Sequence, residues 1–202
     1  MIEISQLSSS QQYYDHDFTR QRKGQYHIEN SLFDRCTFSD CDFSAAVFKQ
    51  CKFFDCEFTR CNLSLCDLSG SQLREAVFNE CKLIGIDWTK ARWSILNLPG
   101  CLQFTNCILD HSSFFGLPLS QCKWCECRLH EVDFTETNCE EAEFIASDCY
   151  RAVFHHTHLL GADFSQAFNY QINVFHNEIT RATFMLPEAT SLLASLPITI
   201  VD

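Results

Sequence analysis

Glycine and proline are scarce in this chain, six and four among 202 residues, and methionine occurs only twice. That scarcity excludes a collagen-like or linker-like chain, and a hydrophobic content of 46% excludes disorder. Positive charge is also short, because 15 Lys and Arg stand against 26 Asp and Glu for a net charge of -11. Nucleic acid is therefore not expected as a direct ligand, since neutralising phosphates takes clustered Lys and Arg. No apolar run reaches the roughly 18 residues of a membrane span, so no membrane partner is expected. The opening Met1-Ile2-Glu3-Ile4 lacks a basic stretch followed by an apolar one, which makes a cytoplasmic location the expectation. The length allows one domain or two small ones, with a substantial core.

Against these shortages stand 14 Cys and 19 Phe. Without a small secreted framework to staple, the cysteines do not read as disulfides. Their spacing explains them better. Cys36, Cys41, Cys51, Cys56, Cys61, Cys66 and Cys81 fall on a grid of five residues, and a second grid two residues later holds large apolar side chains such as Phe33, Phe38, Phe43, Phe48, Phe53 and Phe58. From Ile28 to Leu98 every position of that second grid is Phe, Leu, Ile or Trp. A period of five matches neither helix nor strand and marks an internal repeat. At Pro99-Gly100-Cys101 the phase slips by one residue, and the grid resumes at Phe104 and runs to Phe184. No multi-residue loop is read between repeats, and Asn169 and Asn177 are placed on inward positions of a locally irregular coil.

One large and one small residue per five then point inward, and the charged residues take the other positions. Free Cys serves as a small hydrophobe in such a place. The Cys122-x-x-Cys125 pair has no partner motif at zinc-ribbon spacing, and His155, His156 and His158 read as a solvated surface run. No glycine-rich phosphate loop, nucleophile elbow or paired-carboxylate arrangement is present. No catalytic residue, metal ligand or cofactor is assigned, and a non-enzymatic binding protein is expected.

Units such as Cys36-Thr37-Phe38-Ser39-Asp40, Cys41-Asp42-Phe43-Ser44-Ala45 and Ala162-Asp163-Phe164-Ser165-Gln166 resemble the A-(D/N)-L/F-x-x unit of the pentapeptide-repeat family. The resemblance implies an all-β fold, a right-handed quadrilateral parallel β-helix of about eight coils, four units to a coil. At ~4.8 Å per coil the rod would be about 38 Å long. Residues 1–27 are expected to cap one end, the β-helix to occupy 28–98 and 104–184 around the slip at 99–103, and 185–202 to close the other end. There Pro187 and Glu188 open a short amphipathic α-helix, and Ile198 to Val201 form a strand. Within the family the chain resembles the topoisomerase-protecting branch, nearest its albicidin-immunity members, at Lys82 to Thr89, Asn169 to Ile179 and Leu186 to Leu193. That implies a homodimer joined through Leu192, Leu193, Leu196, Ile198 and Ile200.

Charge divides unevenly: residues 1–103 carry 13 acids and 11 bases, and residues 104–202 carry 13 acids and 4 bases. The acidic run Glu131, Asp133, Glu136, Glu140, Glu141 and Glu143, with Asp163 one coil above Glu143, is the candidate partner-binding surface. A rod with such a stripe mimics duplex DNA in shape and charge, and would be steered toward a basic DNA-binding saddle. Two rods end to end reach about 80 Å, a little over 20 base pairs at ~3.4 Å each. The family resemblance names the partner as DNA gyrase or topoisomerase IV and the outcome as protection from albicidin- or quinolone-type antibiotics. The alternative is a scaffold or effector whose repeats engage an unrelated protein.

Overall fold

Each pentapeptide makes one short stretch of extended chain and one tight turn, and the turn follows from where the inward residues lie. In a computed structural model that describes residues 7–20, 26–93 and 102–199, the second residue after most inward large residues has a positive φ, for example Asp40 (56°), Ala45 (56°), Glu126 (54°) and Glu136 (57°). Where the turn closes, the residue after it donates back to the inward one, as the Ala46 N–H does to the Phe43 carbonyl at 2.9 Å. Such a turn rotates the chain to the next side, and four sides bring it back one coil higher.

The strands are β1 Gln12–Tyr14, β2 Asp17–Thr19, β3 His27–Glu29, β4 Leu32–Asp34, β5 Thr37–Ser39, β6 Val47–Lys49, β7 Lys52–Phe54, β8 Glu57–Thr59, β9 Gln72–Arg74, β10 Val77–Asn79, β11 Gln103–Thr105, β12 Lys123–Cys125, β13 Asp163–Phe164 and β14 Thr183–Phe184. All pair in parallel. β1, β4, β7 and β9 build the first face, and β2, β5, β8, β10, β11 and β12 the second. Bridges such as Asp42 to Asn62 and Arg128 to Asp148 continue the third face, and β3 with β6, then Asp87 to Ser113 to Asp133, the fourth. The result is a parallel solenoid of about eight turns.

Inside, the large residues stack in columns. Along the second face Phe38 lies 4.6 Å from Phe58, Phe58 4.9 Å from Phe78, and Trp124 4.9 Å from Phe144, with nearly parallel rings. Neighbouring columns meet edge to face, as Phe114 does Trp124 at 5.6 Å. Both arrangements suit the aromatic quadrupole.

The small column carries more than volume. The Cys61 N–H donates to Sγ of Cys81 at 3.3 Å, and the Cys61 thiol donates to the Phe38 carbonyl at 3.3 Å. Ser71 and Ser147 make the same bonds to Phe48 and Trp124, and Thr137, Thr157 and Asn177 make the carbonyl bond to Phe114, Phe134 and Phe154. A thiol or hydroxyl there satisfies backbone groups that face a dry core. Burial pushes the Cys66 thiol up to about 12 and raises Cys139 and Cys149 further. Of the thirteen described cysteines all but Cys125 are buried. A thiolate-seeking reagent is therefore expected to modify Cys125 first among them, and the other twelve only after unfolding. Peptide mapping after timed labelling checks this, and fast native labelling of Cys61 or Cys139 would contradict it.

Four expectations need correction. Residues 1–27 are not simply a cap: β1 and β2 pair with β4 and β5, and Tyr13 and Phe18 are buried core residues. The one-residue slip conceals a longer insertion, because Phe78 pairs with Phe104, 26 residues on, where Phe58 pairs with Phe78 at 20. One extra pentapeptide plus one residue shifts the phase by one, and Trp93 and Leu98 kept the extra unit on the grid. Pro99, Gly100 and Cys101 themselves lie outside the described residues. Asn169 is not inward: it takes an exposed corner at φ 59°, and Tyr170 fills the core in its place. The C-terminal helix, Glu188–Ser195, is 3-10 rather than α. Thr190 N–H donates to Pro187 and Leu196 N–H to Leu193, three residues back, and the Thr190 and Ser195 hydroxyls bond carbonyls three residues back as well.

Candidate anionic surface and C-terminal end

Residues five apart in this solenoid stand a quarter turn apart. Glu126, Glu131, Glu136 and Glu141 are all corner residues with positive φ, so they project from four successive corners of one coil. The acidic run is thus a girdle around the rod, and the single stripe expected from sequence is limited to residues twenty apart. Glu143 does stand beside Asp163 on the second face, one coil below it, as expected.

Several of these carboxylates are already partnered. Lys123 Nζ lies 2.8 Å from Glu143 Oε1, and Glu131 is flanked by His111 at 3.4 Å and Arg151 at 3.7 Å. Asp133 and Asp163 accept the N–H groups of Thr135 and Ser165, at 2.9 and 2.8 Å, which orients them along the coil. Glu141 accepts a bond from the Gln121 amide at 2.9 Å. Among the described residues Asp133, Glu136, Glu140, Glu141 and Asp163 form no ion pair with a cation, and these five carry the free negative charge of the candidate surface. Sequence reasoning missed Asp148 as a structural group. Burial alone would raise its carboxyl, but hydrogen bonds from His130 at 2.6 Å and Asn169 at 2.7 Å leave it below the usual range.

The first half arranges charge differently. Arg35 donates to Asp15 at 2.7 and 3.0 Å, and Arg60 to Asp40 at the same distances, both across one coil. Each guanidinium holds its carboxylate below the ordinary value. These pairs are exposed and contribute little to stability, but with 11 bases to 13 acids the first half is nearly neutral, whereas the 4 bases of the second half leave most of its 13 acids uncancelled.

At the far end, the three-residue period of the 3-10 helix sets Ala189, Leu192 and Ser195 on one side. Leu192 packs against the solenoid core, and the Glu188 carboxylate accepts the Asn169 N–H at 2.6 Å. Leu193 points away at 37% exposure, Leu196 is half-buried and Ile198 is 57% exposed. Ile198 and Thr199 are unpaired with any strand among the described residues, and Ile200 lies outside them. The structure adds apolar residues that the sequence reading passed over: Leu186 (73% exposed), Met185, Phe175 and Phe168. All four precede Leu193 in the chain, on the last coils and the approach to the helix, and add exposed apolar surface to this end of the rod. No helix among the described residues is long and apolar enough to cross a membrane, and no group of three or more His, Cys, Asp or Glu among them is placed to hold a metal ion.

A solenoid of stacked five-residue units is the defining form of one protein class, and comparison with known proteins agrees. The chain matches the pentapeptide repeat region over residues 31–114 and pentapeptide repeats over residues 119–148. It belongs to the pentapeptide-repeat family. Among solved structures it is similar to QnrB1, a plasmid-mediated fluoroquinolone resistance protein. A trypsin-treated form matches with a TM-score of 0.70 at 17% identity over 96% of this chain and 100% of the other. A second trypsin-treated form gives 0.66 at 18% over 96% and 99%, and the full-length protein 0.53 at 20% over 95% and 100%. No curated protein matches the chain in sequence.

Proposed function

We propose that this chain acts as a rod-shaped anionic stand-in for duplex DNA, which occupies the DNA-binding surface of DNA gyrase or topoisomerase IV and shields the enzyme from an albicidin- or quinolone-type antibiotic. The observation that carries the reading is the set of carboxylates at Asp133, Glu136, Glu140, Glu141 and Asp163, which have no cationic partner among the described residues of a straight repeating scaffold. The scaffold is held by stacked rings and inter-coil hydrogen bonds, so the backbone positions that carry these charges are fixed before binding and no backbone ordering is needed. Likeness of fold to a fluoroquinolone resistance protein supports the choice of target. The protein works by binding and not by catalysis, in the cytoplasm and as a homodimer.

A gyrase supercoiling assay with titrated protein and candidate poisons tests the reading. Restored supercoiling in the presence of a poison is the expected result. The idea fails if the protein neither binds gyrase nor changes its supercoiling, with or without drug.

The apolar end offers a check on assembly. Leu186→Asp together with Leu193→Asp changes exposed side chains, and is expected to halve the mass measured by light scattering on a sizing column while leaving the unfolding midpoint close to the wild type. Leu192→Asp strikes a residue that covers the last coil, so it is expected to lower stability instead, by about 2–5 kcal/mol. An unchanged mass for the double variant would remove this end as the interface.

A further inference from the structure

In the first half Arg35, Arg60, Arg74 and Lys90 are paired with acids, whereas Arg20, Lys49, Lys52, Lys82 and Arg92 form no ion pair among the described residues, and two of these five meet at one place. Between the first and fourth faces a notch of about 280 Å³ opens, lined by Gln50, Cys51, Lys52, Gly70, Gln72 and Arg92. Its origin is local. Gly70 takes a corner at φ +68°, one coil from Gln50, and a Cβ there would crowd Gln50, 3.2 Å from its Cγ and 3.9 Å from its backbone nitrogen, so the missing side chain leaves the notch open beside that residue. Beside the corner, Lys52 pairs in register with Gln72, and the Arg92 N–H donates to the Ser71 carbonyl at 2.7 Å, which continues the same row one coil on. Lys52, Gln72 and Arg92 are thus successive steps of one column, about 4.8 Å apart, with a cation above and below an amide.

Arg35, Arg60 and Arg74 each meet an aspartate within 3.2 Å, and Lys90 meets Asp87 at 3.7 Å. Lys52 and Arg92 form no ion pair among the described residues, and the stretch 94–101 that follows Arg92 contains no acidic residue. Two free cations and two carboxamides therefore face one small concavity on a protein that is otherwise strongly anionic. Arginine supplies a planar fork matched to two oxygens of one anion, lysine a mobile point charge, and the glutamines neutral N–H donors for the remaining oxygens.

We propose that this notch binds a small tetrahedral oxyanion, inorganic phosphate or the phosphate of a small phosphomonoester. The site lies apart from the carboxylate girdle, and its occupancy is independent of topoisomerase binding. Binding is salt-sensitive, because the site is open to solvent.

Isothermal titration calorimetry of the full chain with inorganic phosphate, at ionic strength held constant with chloride, tests the proposal. The expected result is saturable one-to-one binding, weakened at least about tenfold in Lys52→Gln/Arg92→Gln, a loss of ~1.4 kcal/mol or more. Gly70→Asn gives a second arm: Asn30 already occupies the same corner column at φ 54°, so the backbone accepts the variant with a small shift of the flexible Gln50 side chain, the new side chain fills the notch, and binding is expected to disappear. Glucose-6-phosphate in place of phosphate separates a phosphomonoester site from one that takes only the free ion, and heat from either compound supports the notch. Heat that is equal in the double variant, or that chloride alone reproduces, would overturn it, as would the absence of saturation at tens of millimolar phosphate.

Discussion

Replacing Glu131, Glu136 and Glu141 together with Asn is expected to slow association with gyrase by about ten- to a hundredfold at low salt and to leave the fold intact. The separation of charge from fold rests on backbone geometry. All three residues have a φ between 54° and 57°, a left-handed conformation that a longer side chain adopts at a cost and that Asn adopts readily. Asn thus removes charge while suiting the corner, and the unfolding midpoint should stay level or rise slightly. Glu131 gives up its contacts with His111 and Arg151, but exposed pairs of this kind contribute only ~0–1 kcal/mol. Surface plasmon resonance against immobilised gyrase at two salt concentrations reads the effect. Because steering acts through long-range field, the variant should also lose most of the salt dependence of its association rate. An unchanged rate with unchanged salt dependence would show that the girdle serves solubility alone.

Phe134→Ala is expected to destabilise the protein by about 3–5 kcal/mol, a large share of what a single domain has. Phe134 is fully buried, stacked on Phe114 at 5.4 Å and Phe154 at 5.2 Å, and edge-on to Trp124 at 5.3 Å and Phe144 at 5.4 Å. Removing it takes one neighbour from each of four rings and leaves a cavity that stacked coils cannot close, since each coil is fixed by hydrogen bonds to those above and below. Phe184 offers the control. It stacks on Phe164 at 5.1 Å and touches Tyr170 at 5.6 Å, lies at the last coil and is only half-buried. Phe184→Ala should cost less than half as much, because in a solenoid each repeat is stabilised only by its neighbours. Urea unfolding of both variants measures the difference, and equal losses would argue against nearest-neighbour stability.

Much of the fold was legible because a solenoid writes its inward residues at a constant spacing. Phe33, Phe38 and Phe43 could be assigned to a core from the grid alone, and the structure buries all three. Legibility fell where the spacing was ambiguous or interrupted. Tyr13 and Phe18 keep the grid, but the polar residues around them masked a coil of only two clear inward side chains. The extra unit between Phe78 and Phe104 was hidden because it lengthens the coil by a whole repeat and one residue, which a count by fives registers only as the one. At Asn169 and Tyr170 the chain puts the larger side chain inside and turns on the asparagine, which tolerates a positive φ better than tyrosine does. The chemistry of the small column was also invisible in sequence: Cys, Ser, Thr and Asn look interchangeable by size, and only the coil-to-coil hydrogen bonds show that they serve as polar bridges.

For the candidate surface the division is sharper. The sequence by itself determined that residues 104–202 carry the excess of acid, that large and small side chains alternate inward every five residues, and that charged residues avoid both inward grids, since each of these is a property of spacing along the chain. Only the tertiary structure decided that Glu126, Glu131, Glu136 and Glu141 stand on four different corners, that Lys123 neutralises Glu143, that Leu192 covers the last coil while Leu193 faces outward, and that Lys52 and Arg92 share a notch opened by Gly70. The physical reason is that neighbours on the surface of this rod are twenty residues apart, or twenty-six across the inserted unit, so which charges meet depends on how the coils register and not on their order in the chain.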